Sequence, residues 1–528
     1  MGYMARSGLV WMEDCMRFLG SFLRIGWCRG LFWLYLPSDM KRSFAYMASS
    51  MVRLSAKCVA ALPVAFVSAA FVATVMLSAC GGSSKRSEEK EAAMEETVPD
   101  TLHAVTLYGP TSYFNYRGEE MGFDYENLRQ FADEEGMVLD LKVAPSMQAL
   151  LKQVSSGEAQ LAAYPVPKIE EYSKLVKHCG PKEITWQVLV QPAGKHRISD
   201  VTELVGKTIY VEKDSKYHYR IKNLNDELGG GIDIVPISRD TLITEDLIEM
   251  VDRGEIPLTI VDSDIAELNK SYFPRLDIGM KVSLEQYSSW AVGNDCDSLA
   301  ARLDRWEKRR DSSPMQKAIY KKYFEQSKTI PLVEDEKALR GLRLRKGGRL
   351  SPYDDIFKRH SSTAGYDWEL LAAIGYNESR FDNRIVSWAG ARGVMQLMPV
   401  TARAVGIDIS QIDNPDVNIM GAAKLVKRLD EALSKKVTDK NERLKFVLAA
   451  YNSGLGHILD AIALAGKYGL DDTVWQGNVS EAALMKSRPQ YYNDPVVKNG
   501  YFRGRETVDF VDKVMRTYSA FKSVNHSK

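Results

Sequence analysis

The hydrophobic rhythm of this chain changes once, near residue 350, and that change limits the folds open to it. Between residues 101 and 328, apolar runs of strand length alternate with helical patterns. The series begins with Ala104 to Tyr108, Tyr125 to Gly136, Leu139 to Val143, Met147 to Ser155 and Gln160 to Ala163. It continues through Lys207 to Val211, Leu247 to Arg253 and Leu258 to Val261. Such alternation predicts βαβ units with parallel pairing. From Pro352 onward helical patterns dominate, so an all-α domain is expected to follow the α/β one. A length of 528 residues fits this division, because it exceeds what one ordinary core holds.

Ahead of both lies a segment with another purpose. Arg53 and Lys57 precede an apolar stretch, Cys58 to Met76, which ends in Leu77-Ser-Ala-Cys80 and then Gly81-Gly-Ser-Ser84. A basic start, an apolar middle and small residues at a cut site describe a secretory signal over residues 51–79, with a membrane-spanning anchor as the competing reading. Leu-Ser-Ala-Cys resembles a bacterial lipobox, which implies lipid on Cys80 and attachment to a membrane surface without a spanning helix. Trp11 to Pro37 mixes aromatics with Arg24 and Arg29 in no sustained pattern. Residues 1–50 are therefore expected to be a gene-model extension, with translation starting at Met40 or Met51; a short apolar helix is the alternative. From Lys85 to Asp100 the chain is charged and without large apolar residues, so residues 80–100 read as a lipidated cysteine and flexible tether. Cys179 and Cys296 either pair as a disulfide or stand as separate buried thiols. A net charge of +1 gives no global basic field, and nucleic acid is not an expected partner.

Chemistry enters with Glu378. In Asp367-Trp-Glu-Leu-Leu-Ala-Ala-Ile-Gly-Tyr-Asn-Glu-Ser379, the apolar Leu371 and Ile374 share one helical face with Glu378. A buried carboxylate is costly in its charged form, so its pKa rises and it holds a proton near neutral pH, as a general acid must. A capping or surface role beside Arg380 is the competing reading. Further along stand Ser387-Trp-Ala-Gly-Ala-Arg-Gly-Val-Met-Gln-Leu-Met-Pro399 and Ala449-Ala-Tyr-Asn-Ser-Gly454. Their glycines at 390, 393 and 454 allow close backbone approach, and Gln396, Tyr451 and Asn452 supply neutral donors and acceptors. A polar, uncharged ligand would be held this way.

In order, Glu-Ser, Gly-Val-Met-Gln-Leu-Met-Pro and Ala-Tyr-Asn-Ser-Gly resemble the soluble lytic transglycosylase family, which implies a lysozyme-like all-α catalytic domain over 351–525. A second resemblance covers residues 101–328. Gly122-Phe-Asp-Tyr-Glu126, Leu150 to Gly157, Leu204-Val-Gly-Lys-Thr-Ile209 and Ile248-Glu-Met-Val-Asp-Arg-Gly-Glu255 are similar to the family 3 solute-binding fold, two α/β lobes closing on a ligand at their hinge. Together they resemble membrane-bound lytic transglycosylases that carry both domains. The match has departures. Amino-acid binders of that family usually carry an Arg where this chain reads Pro167-Lys-Ile-Glu-Glu-Tyr-Ser-Lys-Leu-Val176, and an Asp where it reads Gly157-Glu-Ala-Gln160. Ordinary amino-acid capture is therefore not expected; a wall peptide or muropeptide ligand competes with a spacer domain that has lost its ligand. Tyr113, Phe114 and Tyr116 either line the cleft or fill a core. Residues 329–350 read as a linker, whose basic run Arg340 to Arg349 is either solvated or set against an anionic polymer.

Glycosidases usually use two carboxylates about 5 to 9 Å apart. None of the three motifs offers a second acid; Asp382 is nearest but reads as a solvent-facing helix end, and Glu506 reads as helix-start capping. The resemblance implies single-acid chemistry without water: Glu378 protonates the oxygen between MurNAc and GlcNAc, then accepts the proton of the MurNAc C6 hydroxyl as it closes onto C1. Ser379, Ser387, Gln396, Met398, Tyr451 and Asn452 would bind the glycan, with Tyr451 placing its hydroxyl against Glu378. Ser379 satisfying the helix backbone, Met398 packing in a core and Tyr451 satisfied elsewhere are the competing readings. Phe510 stands where the family often has Tyr. No cofactor is implied, and the scattered histidines lack metal-ligand spacing. The expected partners are peptidoglycan strands, a muropeptide in the α/β domain and the outer membrane, reached through Cys80 on its periplasmic side. A goose-type lysozyme and a non-catalytic wall-binding sensor are the rival readings.

Overall fold

The computed structural model describes residues 101–238, 244–310, 312–326, 328 and 349–526. The expectations for residues 1–50, the signal, Cys80, the tether and most of the 329–350 linker lie outside these residues. Twelve strands are described: β1 Thr101–Leu107, β2 Phe114–Tyr116, β3 Glu119–Met121, β4 Val138–Ala144, β5 Leu161–Pro167 and β6 Val176–Thr185. They continue as β7 Gln187–Pro192, β8 Thr208–Glu212, β9 Asp233–Ile237, β10 Thr259–Asp262, β11 Leu276–Lys281 and β12 Gln286–Gly293.

These form two five-stranded sheets and one small hairpin. Lobe one has the order β4-β1-β5-β12-β6, and lobe two has the order β11-β7-β10-β8-β9. β1 pairs in parallel with β4 and β5, and β8 with β9 and β10, as the alternating rhythm requires. The chain crosses between the lobes at Trp186 and again between Lys281 and Gln286. Two close crossings make a hinge. Lobe one is filled by Leu102, Leu128, Phe131, Trp290 and Trp306, and lobe two by Leu189, Ile209, Ile221 and Ile260. Cys179 and Cys296 are free thiols, not a disulfide; Cys179 is buried, and desolvation pushes it up to about 12.

The third set of strands matters most for function. β2 and β3 form a two-residue hairpin that leaves lobe one and enters the helical half. Arg117 and Gly118 occupy the turn with φ of 50° and 86°, the positive pair that a tight turn of this hand demands. Asn115 Oδ1 accepts the Gly118 N–H at 3.0 Å and stiffens it. Phe114 and Met121 share a core with Trp388, Met398, Tyr501, Ile319 and Tyr323. Phe114 and Tyr116 therefore pack against the helical half, with Tyr116 5.2 Å from the Trp388 ring, rather than in the cleft between the lobes.

The helical half is built around two helices without a free face. In Trp368–Ser379, residues Leu370 to Gly375 are all buried, and in Lys440–Ser453 so are Phe446 to Ser453. They pack with Asp354–Ala364, Pro415–Leu433 and the long Gly504–His526 helix around Ile374, Val426, Val447 and Val514. Gly375 is part of this packing, since a Cβ there would lie 3.1 Å from the Met395 sulfur.

Candidate active site

Glu378 occupies the last turn of the Trp368–Ser379 helix, and only 6% of its surface is exposed. The helix ends sharply after it: Arg380 and Phe381 both adopt left-handed φ, 54° and 64°. Ser379 is fully buried, and its hydroxyl donates to the carbonyls of Gly375 at 3.2 Å and Val394 at 2.7 Å. It ties the helix end to the 387–399 loop instead of facing a ligand. Tyr451 donates its hydroxyl to the Met395 carbonyl at 2.7 Å, so the expected bond from Tyr451 to Glu378 is replaced by a second tie on the same loop. The reason is geometric: the loop carbonyl lies closer to the phenol than the carboxylate does. Asn418 Oδ1 supplies a third tie by accepting the Met395 N–H at 2.8 Å. The Ser387 hydroxyl oxygen accepts the Ala391 N–H at 2.9 Å and closes the loop on itself.

The remaining expected residues gather around two cavities. One, of about 430 Å³, is lined by Glu378, Ser387, Trp388, Gln396, Asn452 and Glu506, among others. The second, of about 340 Å³, is lined by Gln396, Met398, Thr401, Tyr451 and Gly454. Gln396 has φ 46° and lies at both; its amide donates to the Ile385 and Gly393 carbonyls, each at 2.9 Å. Met398 is almost wholly buried and begins the Pro399–Ala404 helix. Asn452 Oδ1 accepts the Thr507 hydroxyl at 2.7 Å. Asp382 is exposed and held down to about 2 by hydrogen bonds from Arg384, so it offers no second acid. Glu506 lines the larger cavity and places a second negative charge near Glu378, a role beyond helix capping.

Arg117 is the functional residue that sequence reasoning missed. From the hairpin tip it lines both cavities, as Gln396 does. Its Nη2 donates to Glu378 Oε1 at 3.1 Å and Oε2 at 3.4 Å, its Nη1 to the Gln396 carbonyl at 3.1 Å, and its Nε to the Asn452 carbonyl at 2.8 Å. Both side chains of the ion pair are about nine-tenths buried. The only local signal was Asn115-Tyr-Arg-Gly118, a turn flanked by three-residue strands too short to alternate.

Burial pushes the Glu378 carboxyl above its ordinary value, Arg117 pulls it down, and Glu506 pushes it up. Burial prevails even with the guanidinium in place. Without Arg117 the carboxyl would hold its proton to higher pH still.

A second buried group holds the hairpin. Lys486 is fully buried, donating to His457 Nδ1 at 2.6 Å and pairing with Asp460 at 2.7 Å. Because Nδ1 accepts, the imidazole proton is on Nε2, which donates to the Asn115 carbonyl at 2.9 Å. Burial and the adjacent ammonium depress His457 to about 3, so the ring stays neutral. Burial also lowers Lys486, to about 8, although Asp460 opposes it.

Among the described residues no group of three or more His, Cys, Asp and Glu side chains is placed to hold a metal ion, and no helix is long and apolar enough to cross a membrane.

The Transglycosylase SLT domain model matches residues 355–473, which include Glu378 and the loops around it. A membrane-bound lytic murein transglycosylase F of Desulfosudis oleivorans is 30% identical over 422 residues, covering 79% of this chain and 89% of the relative. One from Pseudomonas fluorescens strain Pf-5 is 32% identical over 448 residues, covering 84% and 88%. Among solved structures, the L-cystine solute receptor of Neisseria gonorrhoeae aligns at 16% identity with a TM-score of 0.38, covering 44% of this chain and 96% of that one. With identity of this order across both halves, the chain belongs to the membrane-bound lytic murein transglycosylase F family.

Proposed function

We infer that this protein is a peptidoglycan lytic transglycosylase, a lyase that cuts the β-1,4 bond from MurNAc to GlcNAc without water. The observation that carries the reading is Glu378: a buried carboxyl with raised proton affinity, in a cavity that it shares with the neutral donors and acceptors of Ser387, Gln396 and Asn452. Protonated Glu378 gives its proton to the glycosidic oxygen as the C1–O bond breaks. The MurNAc C6 oxygen then closes onto C1, and its proton returns to Glu378. The products together have the mass of the substrate, and one ends in 1,6-anhydro-MurNAc. Gln396 and Asn452 hold the glycan, Ser387 and Met398 line its path, and Ser379 and Tyr451 act one step back by fixing the loop.

Arg117 opposes each part of this role. It favours the charged form of Glu378 and occupies the edge of both cavities that a glycan strand would fill. Catalysis therefore requires the hairpin to leave, and the α/β half acts as a regulator that responds to a wall fragment. The protein works at the periplasmic face of a membrane; Cys80 carries the lipid, and the outer membrane is the one it joins.

The test is to incubate the purified protein and a Glu378→Gln variant with peptidoglycan sacculi and measure product masses. Anhydro-muropeptides from the parent alone are expected. Products heavier by one water would make the enzyme a lysozyme, and equal yields from the variant would remove Glu378 from the chemistry.

A further inference from the structure

His457 presents to the second cavity a donor that the cleavage chemistry leaves unused. It lies in the Leu455–Lys467 helix, is 2% exposed, and lines the cavity of about 340 Å³. Three contacts fix its ring. Lys486 Nζ donates to Nδ1 at 2.6 Å, the Phe502 ring stacks on the imidazole at 4.9 Å with 16° between the planes, and Nε2 donates to the Asn115 carbonyl at 2.9 Å. Lys486 and Phe502 belong to the helical half, whereas Asn115 belongs to the hairpin of lobe one. Once the hairpin leaves, the first two still hold the ring, and the Nε2–H stays aimed at the space that the Asn115 carbonyl filled. A buried N–H without an acceptor is costly, so an acceptor on the cavity's occupant is strongly favoured there.

The hairpin itself indicates which acceptor fits. It offers His457 the carbonyl of a secondary amide, carried on backbone that runs close to the cavity wall. A Cβ on Gly454, at φ 98°, would lie 3.6 Å from both the Arg117 Cα and the Gly118 nitrogen. On a glycan of alternating MurNAc and GlcNAc, the acetamido carbonyl is the same functional group.

The rest of the wall distinguishes an acetamide from the free amine that remains when the acetyl group is removed. Among the described residues no Asp or Glu lines this cavity. Its cations are Arg117 of the hairpin and Arg428, whose Nη1 donates to the Ala404 carbonyl at 3.3 Å. An ammonium there would meet an N–H donor and a guanidinium with no counter-charge. An acetamide accepts from His457 instead, and Leu425 and Leu429 give its methyl group an apolar surface.

Glu378 lines the neighbouring cavity and not this one, while Gln396 and Arg117 line both, so the two adjoin. With the reacting MurNAc at Glu378, the sugar in the second cavity is its neighbour along the strand, and in an alternating polymer both neighbours of a MurNAc are GlcNAc. We propose that His457 is a substrate-binding residue that reads the acetamido carbonyl of the GlcNAc beside the reacting MurNAc, with Lys486 as the positioning residue that keeps the proton on Nε2. The enzyme thereby selects N-acetylated strands over strands whose GlcNAc carries a free amine. This selectivity rests on the transglycosylase reading and deepens it.

Initial rates of anhydro-muropeptide release by the purified full-length protein test it, on solubilised glycan strands and on the same strands after enzymatic de-N-acetylation of their GlcNAc residues. Every protein compared carries Arg117→Ala, so the hairpin's grip on Glu378 does not enter the comparison. The parent of this series favours the acetylated strands in kcat/KM by about tenfold. His457→Phe keeps a ring against Phe502 and removes the N–H, with His457→Leu as the second donor-free variant should the first fail to fold. It raises KM for acetylated strands by a similar factor, leaves kcat within about twofold and loses most of the preference. His457→Gln returns an N–H to that end of the side chain and recovers much of it. Equal efficiency of the parent on the two strands, a preference retained in full by a folded donor-free variant, or a loss in kcat alone overturns the proposal. Cleavage that continues without the preference removes only this role of His457; no anhydro products from either strand removes the transglycosylase reading and the proposal with it.

Discussion

A guanidinium bonded to both oxygens of a buried carboxylate favours its charged form against burial, and a charged Glu378 cannot donate the proton that glycosidic cleavage needs. Removing the guanidinium has a predictable sign. In an Arg117→Ala variant the pKa of Glu378 rises further, so the alkaline limb of the pH–rate profile moves to higher pH. Basal release of anhydro-muropeptides rises severalfold, because the groove is also cleared. A profile unmoved on the pH axis would mean that Arg117 does not govern the acid. The two partners also mark what a sequence discloses. Glu378 was legible because a carboxylate on an apolar helical stripe is an anomaly within a dozen residues. Arg117 was not, since its partner lies 261 positions away and nothing local distinguishes it from a solvated turn arginine. Tyr451 was half legible: its motif placed it at the site, but only packing decides that its hydroxyl meets the Met395 carbonyl.

Elements long enough to show a period were legible, and those held by tertiary contact were not. The parallel strands and the two buried helices declared themselves by apolar spacing, whereas β2 and β3 span three residues each and are strands only because the helical half receives them. The 387–399 loop is similar, a non-repetitive segment fixed by side chains from elsewhere. A Cβ on Gly393, at φ 79°, would fall 2.6 Å from Asn418 Nδ2, which donates to the Arg392 and Ile412 carbonyls. Gly393→Ala therefore combines backbone strain with a broken tie and should lower stability by about 2 kcal/mol or more, read from urea melts. The Leu455–Lys467 helix carries a titratable latch. His457 falls from about 6.5 in the unfolded chain to about 3 when folded. The unfolded state thus binds the extra proton in that window, and stability is lost as pH drops through it. Relative to a His457→Gln variant, the parent should weaken by on the order of 2 kcal/mol between pH 7 and 4.5. A constant difference across that range would show that the ring is not held neutral.

At the scale of the molecule, each lobe grips the helical half at a different place. Lobe one holds it through the hairpin, including the Val400 N–H to Glu119 bond at 3.3 Å, and through Asn493 on the Pro145 carbonyl at 3.2 Å. Lobe two holds the start of the Gly504–His526 helix and the residue before it. Arg503 donates to Asn269 Oδ1 at 2.5 Å and lies 3.9 Å over the Tyr272 ring, while Arg505 approaches Asp246 and Glu249, and Arg253 meets Asp509 at 3.4 Å. Most of these pairs are partly exposed and individually weak. Arg503 differs, because its guanidinium is stacked as well as bonded, and such contacts lose more when truncated. With both grips intact, the α/β and helical halves should unfold together. Arg503→Ala removes the anchor of one grip without touching Glu378 or the hairpin, so calorimetry should resolve the single transition into two, the α/β half melting first. One undivided transition at the parent's temperature would place the coupling entirely in the hairpin. In that case His457→Gln, which alters the hairpin's buried contact, is the substitution that should divide it.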